Sequence, residues 1–117
     1  MNEQNTVLQI AGLLYERKAQ EIVALNVSHL TVLCDHMIIA SGRTANQVTS
    51  LADAVDELLA GGPLVLRRSE GRREGRWIVL DYAHVIVHIF HPEERQYYNI
   101  ERLWQDGTNE ERFESRE

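Results

Sequence analysis

A chain of 117 residues, 44% apolar and 26% charged, can close one ordinary hydrophobic core and is too short for two. Its formal charge of −6 argues against the general phosphate affinity that nucleic-acid binding needs. A single cysteine, Cys34, excludes an internal disulfide and a thiolate zinc cage, and the apolar runs are far shorter than the about 20 residues that span a bilayer.

The N-terminus shows no basic segment followed by an apolar one and no Arg-rich transit pattern, so the expected location is the cytoplasm. Residues 3–20 read as an amphipathic helix, with Val7, Ile10, Ala11 and Leu14 on one face and Glu3, Gln9, Glu16 and Lys18 facing solvent. Residues 21–27 read as a strand. Residues 28–35 fit a strand extension or a connecting loop, and 37–40 a short buried strand ending at Ser41-Gly42. Thr44 and Gln47 form a capping box that opens a second helix, whose stripe is Val48, Leu51, Ala52, Val55 and Leu59. Asp53, Asp56 and Glu57 fall off that stripe and are expected in solvent. Gly61-Gly62 and Pro63 end the helix.

Residues 64–67 read as another strand and 68–76 as a charged loop. Two apolar runs, 77–81 and 84–90, then make a β-hairpin around a two-residue turn at Tyr82-Ala83, pairing Asp81 with His84, Val79 with Ile86 and Trp77 with His88. Pro92 suits the first turn of a short helix with Glu93 and Glu94 at the positive end of its dipole. Tyr97 and Tyr98 close that turn, and 100–104 adds a last apolar contact. Beyond residue 104 the chain is polar and acidic, an expected disordered tail (105–117) that should be dispensable for folding. Residues 1–104 are therefore expected to form a single α/β domain, a small mixed β-sheet with helices packed on it.

Alternation sorts the hairpin into two faces. Ile78, Leu80, Val85, Val87 and Ile89 form an aliphatic face suited to a core. Trp77, Val79, Asp81, His84, Ile86, His88 and Phe90 form a mixed face with the composition of a recognition surface. Another helix of the chain, or a second copy, would equally account for that face. Trp77 is expected to act on it as an interface anchor rather than as a core residue.

The residues that could carry chemistry point elsewhere. His84 and His88 share a face, but four residues at about 3.3 Å each separate them by about 13 Å, too far to share one metal ion. His91 could approach only from beyond the strand end. Cys34 with His36 is a lone pair in another segment, and Cys34 reads better as a buried small hydrophobe than as a nucleophile. Ser41-Gly42 before a helix could hold an anion, yet it lacks the Gly-rich loop and Lys of a phosphate cradle. An enzymatic alternative is a small nucleotidyltransferase using Asp81 and Asp53 with magnesium. The basic residues Arg67, Arg68, Arg72, Arg73 and Arg76 are interrupted by Glu70 and Glu74, a pattern more typical of a solvated loop than of an RNA patch. Such a loop could touch phosphates at the rim of a site built mainly by something else.

Three stretches, CDHMIIASG at 34–42, the run from Gln47 through SLADAV at 50–55, and WIVLDYAHVIVHIFHPEERQYYNIERLW at 77–104, together resemble the ribosomal silencing factor (Iojap-like) family. The resemblance spans about residues 7–104 and is carried most specifically by Trp77, Leu80-Asp81-Tyr82, Val87-His88, Phe90 and Glu94-Arg95-x-Tyr97-Tyr98. It implies a nucleotidyltransferase-like α/β fold without enzymatic activity or cofactor. It also implies a translation repressor that binds the large ribosomal subunit through its fourteenth protein and blocks joining of the small subunit when nutrients are scarce. The partner-binding residues would be Trp77, Val79, Asp81, His84, Ile86, His88, Phe90, Tyr97 and Tyr98, with peripheral rRNA contact by Arg67, Arg68, Arg72 and Arg73. The chain would act as a monomer on the ribosome, with a homodimer as the alternative when free, and without a membrane. Three positions depart from the family pattern. Ala83 and His84 stand where Gly and Asp are usual, and Cys34 where a small alanine is usual.

Overall fold

The computed structural model describes residues 3–113, with side chains from residue 5. Helix α1 (Glu3–Glu16) buries Val7, Ile10, Ala11 and Leu14, the face its periodicity predicts. It stops at Glu16 rather than near Gln20 because Lys18 turns left-handed, with φ of 67°. The Ala19 amide then donates to the Leu14 carbonyl (2.9 Å) and the Lys18 amide to that of Tyr15 (3.0 Å), which is a Schellman closure.

Strands β1 (Gln20–Asn26) and β2 (His36–Ser41) follow, antiparallel, and residues 28–35 between them are a loop. Helix α2 (Ala45–Leu59) opens on Thr44, whose hydroxyl accepts the Gln47 amide at 3.1 Å. The Gln47 side chain reaches back one residue further than an ideal capping box, to the Arg43 amide at 2.6 Å. Strands β3 (Arg68–Glu70), β4 (Trp77–Asp81) and β5 (Val85–Phe90) come next, then the short helices α3 (Pro92–Tyr98) and α4 (Glu101–Trp104), and finally β6 (Glu110–Phe113).

The six strands form one sheet in the order β3-β4-β5-β2-β1-β6. Every neighbouring pair is antiparallel except β2 and β5, whose parallel pairing runs from His36 opposite Val85 to Ser41 opposite Phe90. Helices α1 and α2 cover one face, sealing Ile22, Ile38, Ile78, Leu80, Val85, Val87 and Ile89 into the larger core. A smaller core on the opposite face gathers Val23, Leu25, Val27, Cys34, Met37, Ile39 and Phe90, with Ile100 and Trp104 packed against it.

Three expectations are corrected. Residues 64–67 are not a strand; the edge strand is β3, inside the segment read as a charged loop. Its partner β4 ends at Asp81, opposite Arg68, so residues 64–67 run past the end of the ladder, with the Arg67 amide still donating to the Asp81 carbonyl at 2.8 Å. The hairpin is shifted by two residues: Trp77 pairs with Phe90, Val79 with His88 and Asp81 with Ile86. The turn centres on Ala83, at φ of 75°, with the His84 amide donating to the Tyr82 carbonyl (3.0 Å) and the Ala83 amide to the Asp81 carboxylate (2.8 Å). Because the shift is an even number of residues, every side chain keeps its predicted face.

The third correction is the tail. Residues 105–113 fold back, and β6 pairs antiparallel with β1, placing Phe113 opposite Ile22 and against the larger core. Asn109 holds the return by donating to the carbonyls of Asn26 (2.9 Å) and Trp104 (2.8 Å), and His29 meets Asp106 at 2.7 Å. Residues 114–117, part of the same expected tail, lie outside the described residues. Truncation after Gln105 strips this edge from β1. It should lower stability by about 2 kcal/mol, roughly 10 °C in melting temperature for a domain of this size, measurable by circular dichroism. A truncated chain that melts with the full one would show that β6 contributes nothing.

Candidate functional site

The two faces of the sheet are covered unequally. The α3–α4 arm lies over the middle of the second face, where Ile100 and Trp104 meet the smaller core. The β3-β4-β5 side of that face is left largely open: Trp77, Val79, Asp81 and Ile86 are each partly exposed there, and His84 is exposed at the hairpin tip.

Two arginines fix the arm. Arg76, just before β4, donates to both acidic residues of the first turn of α3, with Nη2 to Glu93 at 2.8 Å and Nε to Glu94 at 2.7 Å. Arg95 is buried. Its fork donates to both Glu101 carboxylate oxygens (2.9 and 3.1 Å) and Nη1 donates to the Ser41 hydroxyl (2.9 Å) at the end of β2. Asn99, left-handed at φ of 48°, lets the chain turn between α3 and α4. The arm thereby presents Tyr97, 81% exposed, and Tyr98, half exposed, beside Trp77.

The aromatic side chains form a graded stack. Phe90 is fully buried; Trp77 lies on it with ring centroids 4.9 Å apart; Tyr98 lies on Trp77 at 4.9 Å; Tyr97 meets Tyr98 edge-on at 4.9 Å. Phe90 therefore supports the surface from beneath and is not part of it, a correction to its predicted place. His88 is also buried, and its Nδ1 accepts the indole N–H of Trp77 at 3.1 Å. Burial pushes the His88 pKa down to about 4, so the ring is neutral at physiological pH. Trp77 is thus half packed on the smaller core and half exposed, between the two extremes that the sequence set against each other.

Asp81 accepts from the turn, and the His84 ring stands 3.4 Å from the Asp35 carboxylate. Arg68 and Glu70 lie beside Asp81 and Val79 on β3. Asp53 projects from α2, across the sheet, so the two aspartates of the enzymatic alternative do not meet. Asp53 instead takes Arg72 Nη1 (3.0 Å), while Arg72 Nη2 and the Tyr82 hydroxyl both donate to Asp56. The expectation that Asp56 is simply solvated misses this network, which burial and the Asp56 bond mark by raising the Tyr82 pKa. It also engages Arg72, one of the four arginines expected at rRNA.

Cys34 is buried, and its thiol is pushed up to about 11 by burial, with Asp35 and Asp81 adding to the effect. It is no nucleophile at neutral pH. His91, Glu93 and Glu94 bring one ligand atom each within 4.8 Å, the one such group among the described residues, but Arg76 already engages both carboxylates. No described helix is long and apolar enough to cross a membrane.

Two outcomes follow from the Trp77–His88 pair. Trp77→Ala removes half-buried ring contacts and the donor to His88, and should lower stability by about 2 kcal/mol as well as weaken any contact made by this face. For His88 the folded pKa lies below the unfolded value near 6.5, so the unfolded chain binds the extra proton. Stability from this group is complete above pH 6.5 and is lost as pH falls towards 4, by an amount on the order of 3 kcal/mol. Urea unfolding at pH 7 and pH 4.5 should show that loss in the wild type and a smaller one in His88→Asn.

Comparison with known proteins agrees with the fold and adds the family. The family model described as "Ribosomal silencing factor during starvation" matches residues 1–117. The chain is 32% identical over 111 residues to ribosomal silencing factor RsfS of Halalkalibacterium halodurans, covering 95% of each. It superimposes on a crystal structure of a Chromobacterium violaceum protein with a TM-score of 0.85 and 34% identity, covering 93% of this chain and 92% of that one. A more distant relative, 23% identical over 100 residues, is the mouse protein named "Mitochondrial assembly of ribosomal large subunit protein 1", of which the match covers 43%. With the α/β architecture and the aromatic stack in place, the full-length match shows that the chain belongs to the ribosomal silencing factor family.

Proposed function

We propose that this chain represses translation by docking its open β3-β4-β5 face on the large ribosomal subunit, through that subunit's fourteenth protein, so that the small subunit cannot join. The reading places the effect under nutrient limitation, in the cytoplasm, by steric occupation and without catalysis. Its central support is the presented half of the aromatic stack. An apolar surface ringed by Asp35, Asp81, Glu70, Arg68 and His84 has the anatomy of a protein interface, an apolar centre with a polar rim. Membership of a family of ribosomal silencing factors supports the ribosome as the target, and the mouse relative's name supports the large subunit.

In this reading Trp77, Val79, Ile86, Tyr97 and Tyr98 touch the partner, Asp81 and His84 lie at its rim, and His88 and Phe90 hold the surface from below. Arg67, Arg68 and Arg73 are exposed at the sheet edge and provide the peripheral rRNA contact, without Arg72. A protein-mediated contact suits a chain of net charge −6, which phosphate alone would repel. The bound form is a monomer, since the face that docks is used once.

Tyr97 gives the cleanest test, because so little of it is buried. In sedimentation with purified large subunits the wild type should co-migrate and should slow formation of whole ribosomes when small subunits are added. Tyr97→Ala should bind about tenfold more weakly with its melting temperature within a degree or two of wild type. A wild type that leaves large subunits bare, or a Tyr97→Ala that binds them equally well, would overturn the reading.

A further inference from the structure

His88 is a buried group on the docking side whose hydrogen bonding is half complete. Its Nδ1 accepts from the Trp77 indole, which fixes the tautomer: the neutral ring carries its proton on Nε2. That Nε2–H has no acceptor among the described residues, although the side chain is 8% exposed and the atom itself is shielded from solvent. A buried donor left unmatched costs the desolvation of the group and calls for a physical reason. Histidine offers one. Its Nε2 lies farther from the backbone than Nδ1, and His88 shares its face with Trp77 and Val79, so the free donor lies beneath the docking side of the sheet and away from the larger core.

We infer that His88 determines partner specificity, its Nε2–H donating to a neutral carbonyl oxygen that the docked protein delivers between Trp77 and Val79. The inference rests on the functional reading above and adds the chemistry of the recognised group. Several features favour a carbonyl over a carboxylate. The rim carries three carboxylates, Asp35, Asp81 and Glu70, against one arginine, Arg68, which already faces Glu70, so its net negative charge would repel an incoming anion. The ring is held neutral by its surroundings, so it offers a dipole rather than a charge. The floor and walls are Phe90, Trp77 and Val79, where a buried carboxylate would lack compensation. Because Nε2 is shielded in the free protein, the docking partner must displace the side chain that covers it to deliver the oxygen.

Two substitutions separate this role from a structural one. In His88→Asn the amide oxygen falls near the Nδ1 position and can keep the Trp77 bond, while the distal donor is lost. In His88→Gln the amide nitrogen falls near the Nε2 position, keeping the distal donor and giving up the Trp77 bond. Melting temperature at pH 7 and affinity for purified large subunits are then measured for both. His88→Asn should melt at or above wild type and bind about tenfold more weakly. His88→Gln should melt lower and bind within about threefold of wild type. The two readouts rank the variants in opposite order, which a purely structural histidine would not do. Overturning results are a His88→Asn that binds like wild type, or two variants whose affinities follow their melting temperatures. A wild type that fails to bind large subunits removes the functional reading itself, whereas wild-type binding with an indifferent His88→Asn removes this inference alone.

Discussion

The parallel seam between β2 and β5 is the constraint on which the molecule depends. It joins the β1-β2-β6 half of the sheet to the β3-β4-β5 half, and it aligns Ser41 with Phe90. That alignment brings the ends of both strands together, where the chain leaves β5 through His91 into α3. Arg95, one turn into α3, then reaches Ser41 and locks to Glu101. A buried arginine is tolerated only with its donors matched, so Arg95, together with Arg76 at the start of α3, limits how far the α3–α4 arm can extend over the second face. The arm covers the middle of the face, and the β3-β4-β5 side stays open. The exposed surface is thus a consequence of where the seam and the Arg95 anchor place the arm.

Energetically, on the proposed function the open face is a compromise between packing and recognition. Phe90 is fully committed to the fold and Tyr97 is nearly free of it, with Trp77 and Tyr98 graded between them. Such a gradient holds large aromatic side chains rigid before a partner arrives, which reduces the conformational entropy lost on docking. Arg76 adds to the rigidity by pinning the first turn of α3 to the start of β4. The histidine beneath the tryptophan works the same way, since the indole hydrogen bond fixes the orientation of both rings.

Much of this was legible in the residues, and the misses have physical causes. Alternation along 77–90 assigns both faces of the hairpin correctly, because period two is insensitive to a slip by an even number of residues. The slip itself arises at Ala83, an L-residue at positive φ where the turn chemistry of glycine would have been the readable signal. The edge strand β6 hides because Glu110, Glu111 and Arg112 give it a surface composition; only Phe113 hints at a buried partner, Ile22 on β1. The burial of Phe90 could not be read locally either. It depends on the arm folding back, and that depends on Arg95 finding Ser41, 54 residues away in sequence. The Tyr82–Asp56–Arg72 network is another long-range arrangement, joining a turn, a helix and a charged loop whose members each look solvated on their own.

The central claim is that the β3-β4-β5 side of the second face, and not the helical side, meets the large ribosomal subunit. Site-specific photo-crosslinking tests it directly, with one photoreactive residue at Val79 on the open face and another at Glu57 on the solvent side of α2. The account predicts that the Val79 probe crosslinks to a single large-subunit protein, the fourteenth, while the Glu57 probe gives no protein adduct. Crosslinking from Glu57 with none from Val79 would place the contact on the opposite side of the molecule and contradict the account.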